Sequence, residues 1–152
     1  MKLKNIKISN YRCFKEAEIG FDNHITLVVG KNGAGKTAIL DAVAVSVSTF
    51  LLGIDGGVSR SILKDDARYE FHDLNGTIDP QHQFPVCIES TGACLDQQNV
   101  KWIRSLNSES GKTTIKDAGE LTGLAKKAQN QIMTGDKSLV LPLISYYGTG
   151  RL

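Results

Sequence analysis

Eight residues of this sequence have the types and the spacing needed to hold a phosphate group. They read Gly30-Lys31-Asn32-Gly33-Ala34-Gly35-Lys36-Thr37, which is the G-x-x-x-x-G-K-[ST] pattern of a P-loop, or Walker A motif. Glycines let a backbone turn tightly and approach a ligand without a Cβ in the way. The N–H groups of residues 32–36 then form a concave nest at the start of a helix, where an anion is favoured. The pattern therefore predicts a nucleotide phosphate site.

Two side chains of this motif indicate which ligands it takes. Lys36 supplies a full positive charge for the β- and γ-phosphates, and the Thr37 hydroxyl can bind the Mg²⁺ ion that bridges them. The alternative is a glycine-rich turn between a strand and a helix that binds nothing. Since the constrained positions coincide by chance in fewer than about one chain in a hundred of this length, a nucleotide site is the better interpretation.

The segments on either side of the motif are the ones that must position it. Residues 25–29 are mostly apolar and predict a strand buried on both faces. From about Gly35 to about Leu52 the sequence predicts a helix that is apolar nearly all round, which is typical of a helix pressed against a sheet. Thr37, Asp41 and Ser48 fall on one stripe, which we interpret as the wetter side of that helix.

The rest of the chain predicts a mixed α/β fold. Residues 2–10 and 16–21 alternate between polar and apolar side chains and predict two strands that pair antiparallel beside the nucleotide site. Residues 84–90 and 100–106 predict a hairpin, and residues 117–135 predict an amphipathic helix. Residues 138–147 predict a further apolar strand. Residues 58–83 show little periodicity, and a short helix and a charged loop are both open for Lys64–Tyr69.

The length and composition of the chain are typical of a soluble globular protein. At 152 residues it has about the length of one domain, with 41% hydrophobic and 22% charged residues. The formal net charge of +2 is too small to indicate nucleic acid or a membrane by itself. The N-terminus has no compact apolar region typical of a signal peptide, and three cysteines without C-x-x-C spacing fit reduced thiols. A cytoplasmic protein without a membrane span is expected.

Three other patterns imitate nucleotide motifs. Residues 33–38, with Asp55 further on, match a dinucleotide fingerprint, but the P-loop pattern fixes more positions over the same residues. Residues 111–113 repeat the end of a P-loop without its first glycine or a preceding buried strand. Residues 73–76 match the D-x-x-G of GTPases, yet no N-K-x-D guanine-recognition element occurs, so ATP is favoured over GTP.

No residue is assigned a catalytic role. Residues 84–89 faintly resemble the apolar strand and carboxylate that hold Mg²⁺ in P-loop enzymes. Pro85 interrupts that strand, and the Asp-Glu pair is missing. An edge strand carrying a solvated Glu89 is the better interpretation.

The order of these pieces resembles a known family. Asn10-Tyr11-Arg12-Cys13-Phe14, followed by residues 25–41, is similar to the N-F-R-x-F element, P-loop and I-L-D-A of the N-terminal lobe of RecF/SMC/OLD-type ABC ATPase heads. A narrower resemblance, through Lys64-Asp65-Asp66 and residues 141–151, is to bacterial AAA/ABC-type ATP-binding proteins described as involved in virulence. The implied fold is a P-loop NTPase with antiparallel strands beside the P-loop strand and with flanking helices.

The resemblance also implies roles for single residues. Arg12 and Cys13 would lie beside the nucleotide, and Thr37 would bind Mg²⁺. The residues that would hold the phosphates are Asn32, Gly33, Ala34, Gly35, Lys36, Thr37 and Ala38. No glutamine stands near Tyr147, so the Q-loop role is not assigned.

Several family elements are missing from the sequence. It has no L-S-G-G-Q-like signature, no Asp-Glu Walker B strand and no late histidine. We therefore expect residues 1–152 to be the N-terminal lobe of a longer ATPase head, inactive alone. The resemblance implies a homodimer of heads whose ATP hydrolysis acts on DNA or drives a partner nuclease, in repair or defence. A nucleotide-sensing module without turnover and a P-loop small-molecule kinase are the alternatives.

Overall fold

A four-stranded antiparallel sheet forms the base of the structure, a computed structural model that describes residues 1–74, 76–136 and 138–148. Its strands are β1 (Lys2–Tyr11), β2 (Phe14–Gly20), β5 (Val86–Cys94) and β6 (Gln97–Leu106), in the spatial order β2-β1-β5-β6. The predicted pairing of the first two strands and the predicted hairpin of β5 with β6 are both confirmed. The elements outside this sheet are α1 (Lys36–Ser48), α2 (Gly119–Met133), the hairpin of β3 (Tyr69–Leu74) with β4 (Thr77–His82), and 3-10 turns at Thr49–Gly53, Lys64–Asp66 and Lys116–Ala118.

Alternation along the strands gives the sheet one buried and one solvated face. Ile8 lies opposite Ile88 across the β1–β5 pair, and both are fully buried. Lys7 and Glu89, which are also paired, point to the other face and are exposed. Because side chains alternate along a strand, one row of apolar residues in each strand is enough to build the core. Glu89 is thus solvated as predicted, but β5 lies inside the sheet and the prediction of an edge strand is wrong.

The helix that follows the P-loop packs on the buried face. α1 contacts β1, β5 and β6, and its Ala42 and Val45 join Ile6, Ile8 and Ile88 in one core cluster. The predicted helix is confirmed, with its last turn in 3-10 geometry. The predicted wetter stripe is wrong for two of its three residues, since Asp41 and Ser48 are buried while Thr37 is exposed.

A second core cluster joins α2 to the end of the α1 segment. Trp102 of β6 packs with Phe50, Leu121 and Ala125, and all four are buried. Gly53 allows this contact, because a Cβ there would lie 2.2 Å from the Thr122 carbonyl oxygen. The amphipathic helix predicted for 117–135 is confirmed as α2, and its buried side chains cover this part of the sheet.

The β3–β4 hairpin was not predicted from the sequence. Its register pairs Phe71 with Pro80 and Asp73 with Ile78, which places a short apolar row on one face. Phe71 and Ile78 remain mostly exposed. The weak pattern of 58–83 reflects this exposure, since strands that bury neither face need no strict alternation. Of the two possibilities left open for Lys64–Tyr69, a short helix is found over Lys64–Asp66, in 3-10 geometry, while Tyr69 begins β3.

Two predicted strands are wrong. Residues 25–29 form no strand, and Ile25, Leu27 and Val29 are 82%, 80% and 76% exposed. Residues 138–147 also lack strand structure, and Leu143 is 95% exposed. An apolar run predicts that a segment prefers burial, but a strand exists only where a neighbour accepts its backbone hydrogen bonds. Among the residues the structure describes, no strand pairs with either segment.

One helical segment of the described chain, Lys36–Gly53, is long and apolar enough to cross a membrane by length and composition alone. It is the same segment that packs on the sheet through α1 and through Phe50. Core helices of this kind pass the same test, so the apolar character of this segment is explained by its place in the core.

Candidate nucleotide-binding site

The P-loop runs from Gly30 to the start of α1 in a conformation that needs glycine. Gly33 and Gly35 have φ angles of +82° and +88°, in the left-handed region that side-chain-bearing residues rarely adopt. Gly35 is the N-cap of α1, and no side chain among the described residues caps this helix end. The first N–H groups of a helix have no partner within it, so this end can offer them to an anion.

The Lys36 ammonium lies inside the loop. Its Nζ donates hydrogen bonds of 2.8 Å to the carbonyl oxygens of Gly30 and Lys31. The side chain thus folds back over the loop, which places its positive charge next to the backbone that would surround a phosphate. A charge held at this position favours phosphate oxygens over neutral ligands.

The turn between β1 and β2 packs directly against the loop. A Cβ built on Gly35 would lie 2.5 Å from the Phe14 ring and 2.7 Å from Cys13 Sγ. Gly35 is therefore required both for its φ angle and for this close approach. Cys13 is a free, exposed thiol at the contact. The turn that the family resemblance placed beside the nucleotide is adjacent to the predicted phosphate loop.

Arg12 lies in this turn in a left-handed conformation with a φ of 50°. Its guanidinium makes two ion pairs, from Nη1 to Asp41 Oδ2 at 2.6 Å and from Nε to Asp66 Oδ1 at 2.8 Å. Its backbone N–H also donates to the Asp66 carbonyl at 2.6 Å. The side chain is 31% exposed, so one edge of it remains open to solvent. Arg12 is therefore a fixed group rather than a freely moving turn residue.

Asp41 is the centre of a network with Arg12, Arg60 and Tyr146, which the sequence pattern did not predict. Besides Arg12, its carboxylate binds Arg60 Nη2 at 2.9 Å and accepts a hydrogen bond from the Tyr146 hydroxyl. The Arg60 guanidinium also lies 5.1 Å from the centre of the Tyr146 ring. A signal was available in the sequence. Asp41 is the only acidic residue in a helix that is otherwise almost wholly apolar, and a buried carboxylate requires cationic partners.

The network changes the pKa values of groups around it. Burial, together with the negative charge of Asp66, raises the pKa of Tyr11. The hydrogen bond to Asp41 raises the pKa of Tyr146, because the carboxylate stabilises the protonated hydroxyl. For Arg12, burial acts to lower the pKa, but the hydrogen bond and charge of Asp66 outweigh it and leave the pKa raised. Tyr11, Tyr146 and Arg12 therefore keep their protons at neutral pH.

The remaining predicted site residues lie around the loop. Asn32, Gly33, Ala34 and Thr37 are exposed, and Ala38 is buried. Ala38 can therefore contribute its backbone N–H but not its side chain. The exposed Thr37 hydroxyl is free of the core and suits the Mg²⁺ role predicted for it. Among the described residues there is no group of three or more His, Cys, Asp or Glu side chains that could hold a metal ion by themselves.

The glycine loop, the helix behind it and the antiparallel strands beside it define a P-loop NTPase with the fold of an ABC-type ATPase head, N-terminal lobe. The chain belongs to the AAA_23 family of AAA domains, which matches residues 5–152. The RecF/SMC-type resemblance seen in the sequence is thus confirmed. The narrower resemblance to proteins involved in virulence stays a prediction.

Two DNA repair proteins match a part of the chain. The DNA double-strand break repair Rad50 ATPase of Archaeoglobus fulgidus is 46% identical over 44 residues, which is 29% of this chain and 5% of that protein. The DNA replication and repair protein RecF of Chlorobium phaeobacteroides is 39% identical over 69 residues, 45% of this chain and 18% of that protein. The chain therefore spans less than a fifth of the length of either relative.

A solved structure shows the same fold over most of the chain. It comes from work on the ATP-driven dimerization and DNA-stimulated activation of SMC ATPases, and it superposes with a TM-score of 0.52 at 19% sequence identity. The match covers 82% of this chain and 80% of that one. At this level of identity the likeness establishes the fold.

Proposed function

We propose that this protein binds ATP with Mg²⁺ at the loop of residues 30–37, as the N-terminal lobe of an ABC-type ATPase head. The observation that carries the proposal is the position of Lys36, whose ammonium is held over the loop by the carbonyls of Gly30 and Lys31. An uncapped helix end and a fixed cation converge there, which is the arrangement that a triphosphate requires. Isothermal titration calorimetry with Mg-ATP tests it: saturable binding is expected, and no binding would contradict it.

The family and its relatives support a wider role. Rad50 and RecF are named as DNA repair proteins, and the related SMC ATPases dimerise under ATP and are activated by DNA. We propose that this lobe belongs to a longer cytoplasmic protein whose heads dimerise, and whose ATP hydrolysis acts in a DNA-related or defence process with DNA or a nuclease as partner. The exposed apolar residues Ile25, Leu27 and Val29 support this, since a segment of this kind is suited to pair with a further lobe.

A nucleotide-sensing module without turnover is the second candidate. Asp41, the carboxylate in the P-loop helix, is already bound by Arg12, Arg60 and Tyr146, so it is not free to hold Mg²⁺ or to act as a general base. The third candidate, a small-molecule kinase, is disfavoured because β1 and β2 precede the P-loop, whereas small kinases usually begin with the P-loop strand.

We expect no significant ATP hydrolysis by these 152 residues alone. The loop can hold phosphates, but binding of the ground state does not lower the barrier, and no base for the attacking water is assigned. The rate of phosphate release under saturating Mg-ATP measures ATP hydrolysis. The rate of the parent protein should equal that of the Lys36→Ala variant. Steady turnover that this substitution abolishes would show that the site is more complete than proposed.

Arg12→Ala is expected to weaken the binding of ATP more than the binding of ADP. Because Nη1 and Nε of Arg12 bind Asp41 and Asp66, its Nη2 group is the donor proposed for a phosphate oxygen, and the terminal phosphate of ATP carries the additional charge. The dissociation constants of both nucleotides are measured for both proteins at one salt concentration, because exposed contacts are screened by salt. Equal and negligible losses for ATP and ADP would mean that Arg12 serves the turn alone.

A further inference from the structure

Two buried carboxylates bind the Arg12 guanidinium from two sides. Asp41 is 4% exposed and holds Nη1, while Asp66 is 7% exposed and holds Nε. Asp66 is itself fixed, since its Oδ2 accepts a hydrogen bond of 3.0 Å from the Leu63 N–H. An arginine side chain has several rotatable bonds, and two ion pairs of this kind leave it one orientation.

One of these two carboxylates, Asp41, ties Arg12 to the helix that follows the P-loop. Asp41 lies four residues after Thr37 in α1, so the two side chains share one face of the helix, one turn apart. The residue after Arg12, Cys13, contacts the loop at Gly35. The guanidinium is thus anchored to the helix that follows the loop, and the turn that carries Arg12 packs against the loop.

Asp41 also serves a second cation. Arg60 pairs with its Oδ1, is 41% exposed in its side chain, and is fixed at its backbone by a hydrogen bond of 2.9 Å to Ser48 Oγ. The two arginines share one carboxylate, with Asp66 supplying the other negative charge. This balance keeps both guanidinium groups together near the helix without leaving a buried charge unpaired.

From these contacts we propose that Asp41 and Asp66 are positioning residues, which orient the Arg12 guanidinium toward the phosphates of a nucleotide bound in the loop. The inference rests on the proposed function, because it requires ATP at residues 30–37. It assigns no contact between either carboxylate and the ligand. Their effect passes through Arg12.

The test is Asp41→Asn, measured as the ratio of the ATP to the ADP dissociation constant. Without the ion pair to Asp41, the Arg12 side chain is ordered only when ATP binds, and this ordering costs binding free energy. We expect the affinity for ATP to fall by about twofold to tenfold and the affinity for ADP to fall less. Removing the negative charge of Asp41 would by itself strengthen the binding of both ATP and ADP, an effect that salt weakens. The direction of the change therefore distinguishes positioning from a general charge effect.

A double-mutant cycle shows whether the effect passes through Arg12. In an Arg12→Ala background, Asp41→Asn should leave the ATP to ADP ratio unchanged, since there is no guanidinium left to position. A ratio that changes equally in both backgrounds would overturn the proposal. So would tighter ATP binding by Asp41→Asn, because Asp41 would then hold Arg12 away from the ligand.

Controls separate folding and the proposed function from positioning. Asp66→Asn should reproduce the loss and replaces Asp41→Asn if that variant does not fold, as judged by circular dichroism. Asp55→Asn, in an exposed residue bound to Gln129, should change nothing. One outcome would overturn positioning alone: the parent protein binds ATP, Lys36→Ala binds it weakly, and both Asp41→Asn and Asp66→Asn keep the parent's ratio of ATP to ADP dissociation constants. The proposed function would then stand. If the parent protein binds no ATP, both are wrong.

Discussion

Replacing Lys36 with alanine is expected to weaken Mg-ATP binding by at least about tenfold. The substitution removes the positive charge that the Gly30 and Lys31 carbonyls hold over the loop, and it leaves the backbone N–H groups in place. Hydrogen bonds from a charged donor contribute about 1.5–3 kcal/mol each, and one lost bond of that size already exceeds the roughly 1.4 kcal/mol that corresponds to a tenfold change. Calorimetric titration of both proteins at one salt concentration gives the two dissociation constants.

The sequence supplies a matched control in Lys112. It stands in Gly111-Lys112-Thr113, which repeats the end of the P-loop, but it is exposed and lies outside the loop and α1. Lys112→Ala removes the same charge and should leave ATP affinity unchanged. An unchanged dissociation constant for Lys36→Ala would mean that residues 30–37 do not hold the nucleotide. Equal losses for both variants would point to a diffuse charge effect.

Replacing Trp102 with alanine is expected to lower the free energy of unfolding by about 3–5 kcal/mol. Trp102 is 1% exposed and packs with Phe50, Leu121 and Ala125 in the second core cluster. Its indole N–H also donates a hydrogen bond of 3.0 Å to the Ser46 carbonyl near the end of α1. The substitution therefore opens a cavity where β6, α1 and α2 meet and leaves one buried hydrogen bond unmade.

Urea unfolding followed by far-ultraviolet circular dichroism measures this loss of stability. Tryptophan fluorescence cannot be used, because Trp102 is the only tryptophan and the substitution removes it. Leu143→Ala is the control: Leu143 is apolar but 95% exposed, so the change should stay within about 0.5 kcal/mol. A loss below about 1 kcal/mol for Trp102→Ala would contradict the packing described here, since a collapsed cavity alone would still cost more.

The sequence by itself determined the conformation of the glycine loop at residues 30–37, because that conformation depends on local backbone chemistry. Gly33 and Gly35 adopt the left-handed angles that their lack of a side chain permits, and α1 begins where the pattern predicts. The pairing of β1 with β2, the β5–β6 hairpin and α2 could also be predicted, since alternation and helical periodicity record which face of each element is buried. These features are set by neighbours in the chain.

Only the tertiary structure decided which partners distant residues meet. Residues 25–29 have the composition of a buried strand, yet they form none here, because a strand depends on hydrogen bonds from another segment that composition does not specify. Its place in the sequence assigned Asp41 to the solvated side of a helix, but it is buried against Arg12, 29 residues before it, and Arg60, 19 residues after it. Ion pairs of this kind are set by how distant segments fold back onto α1, and periodicity along one element carries no record of them.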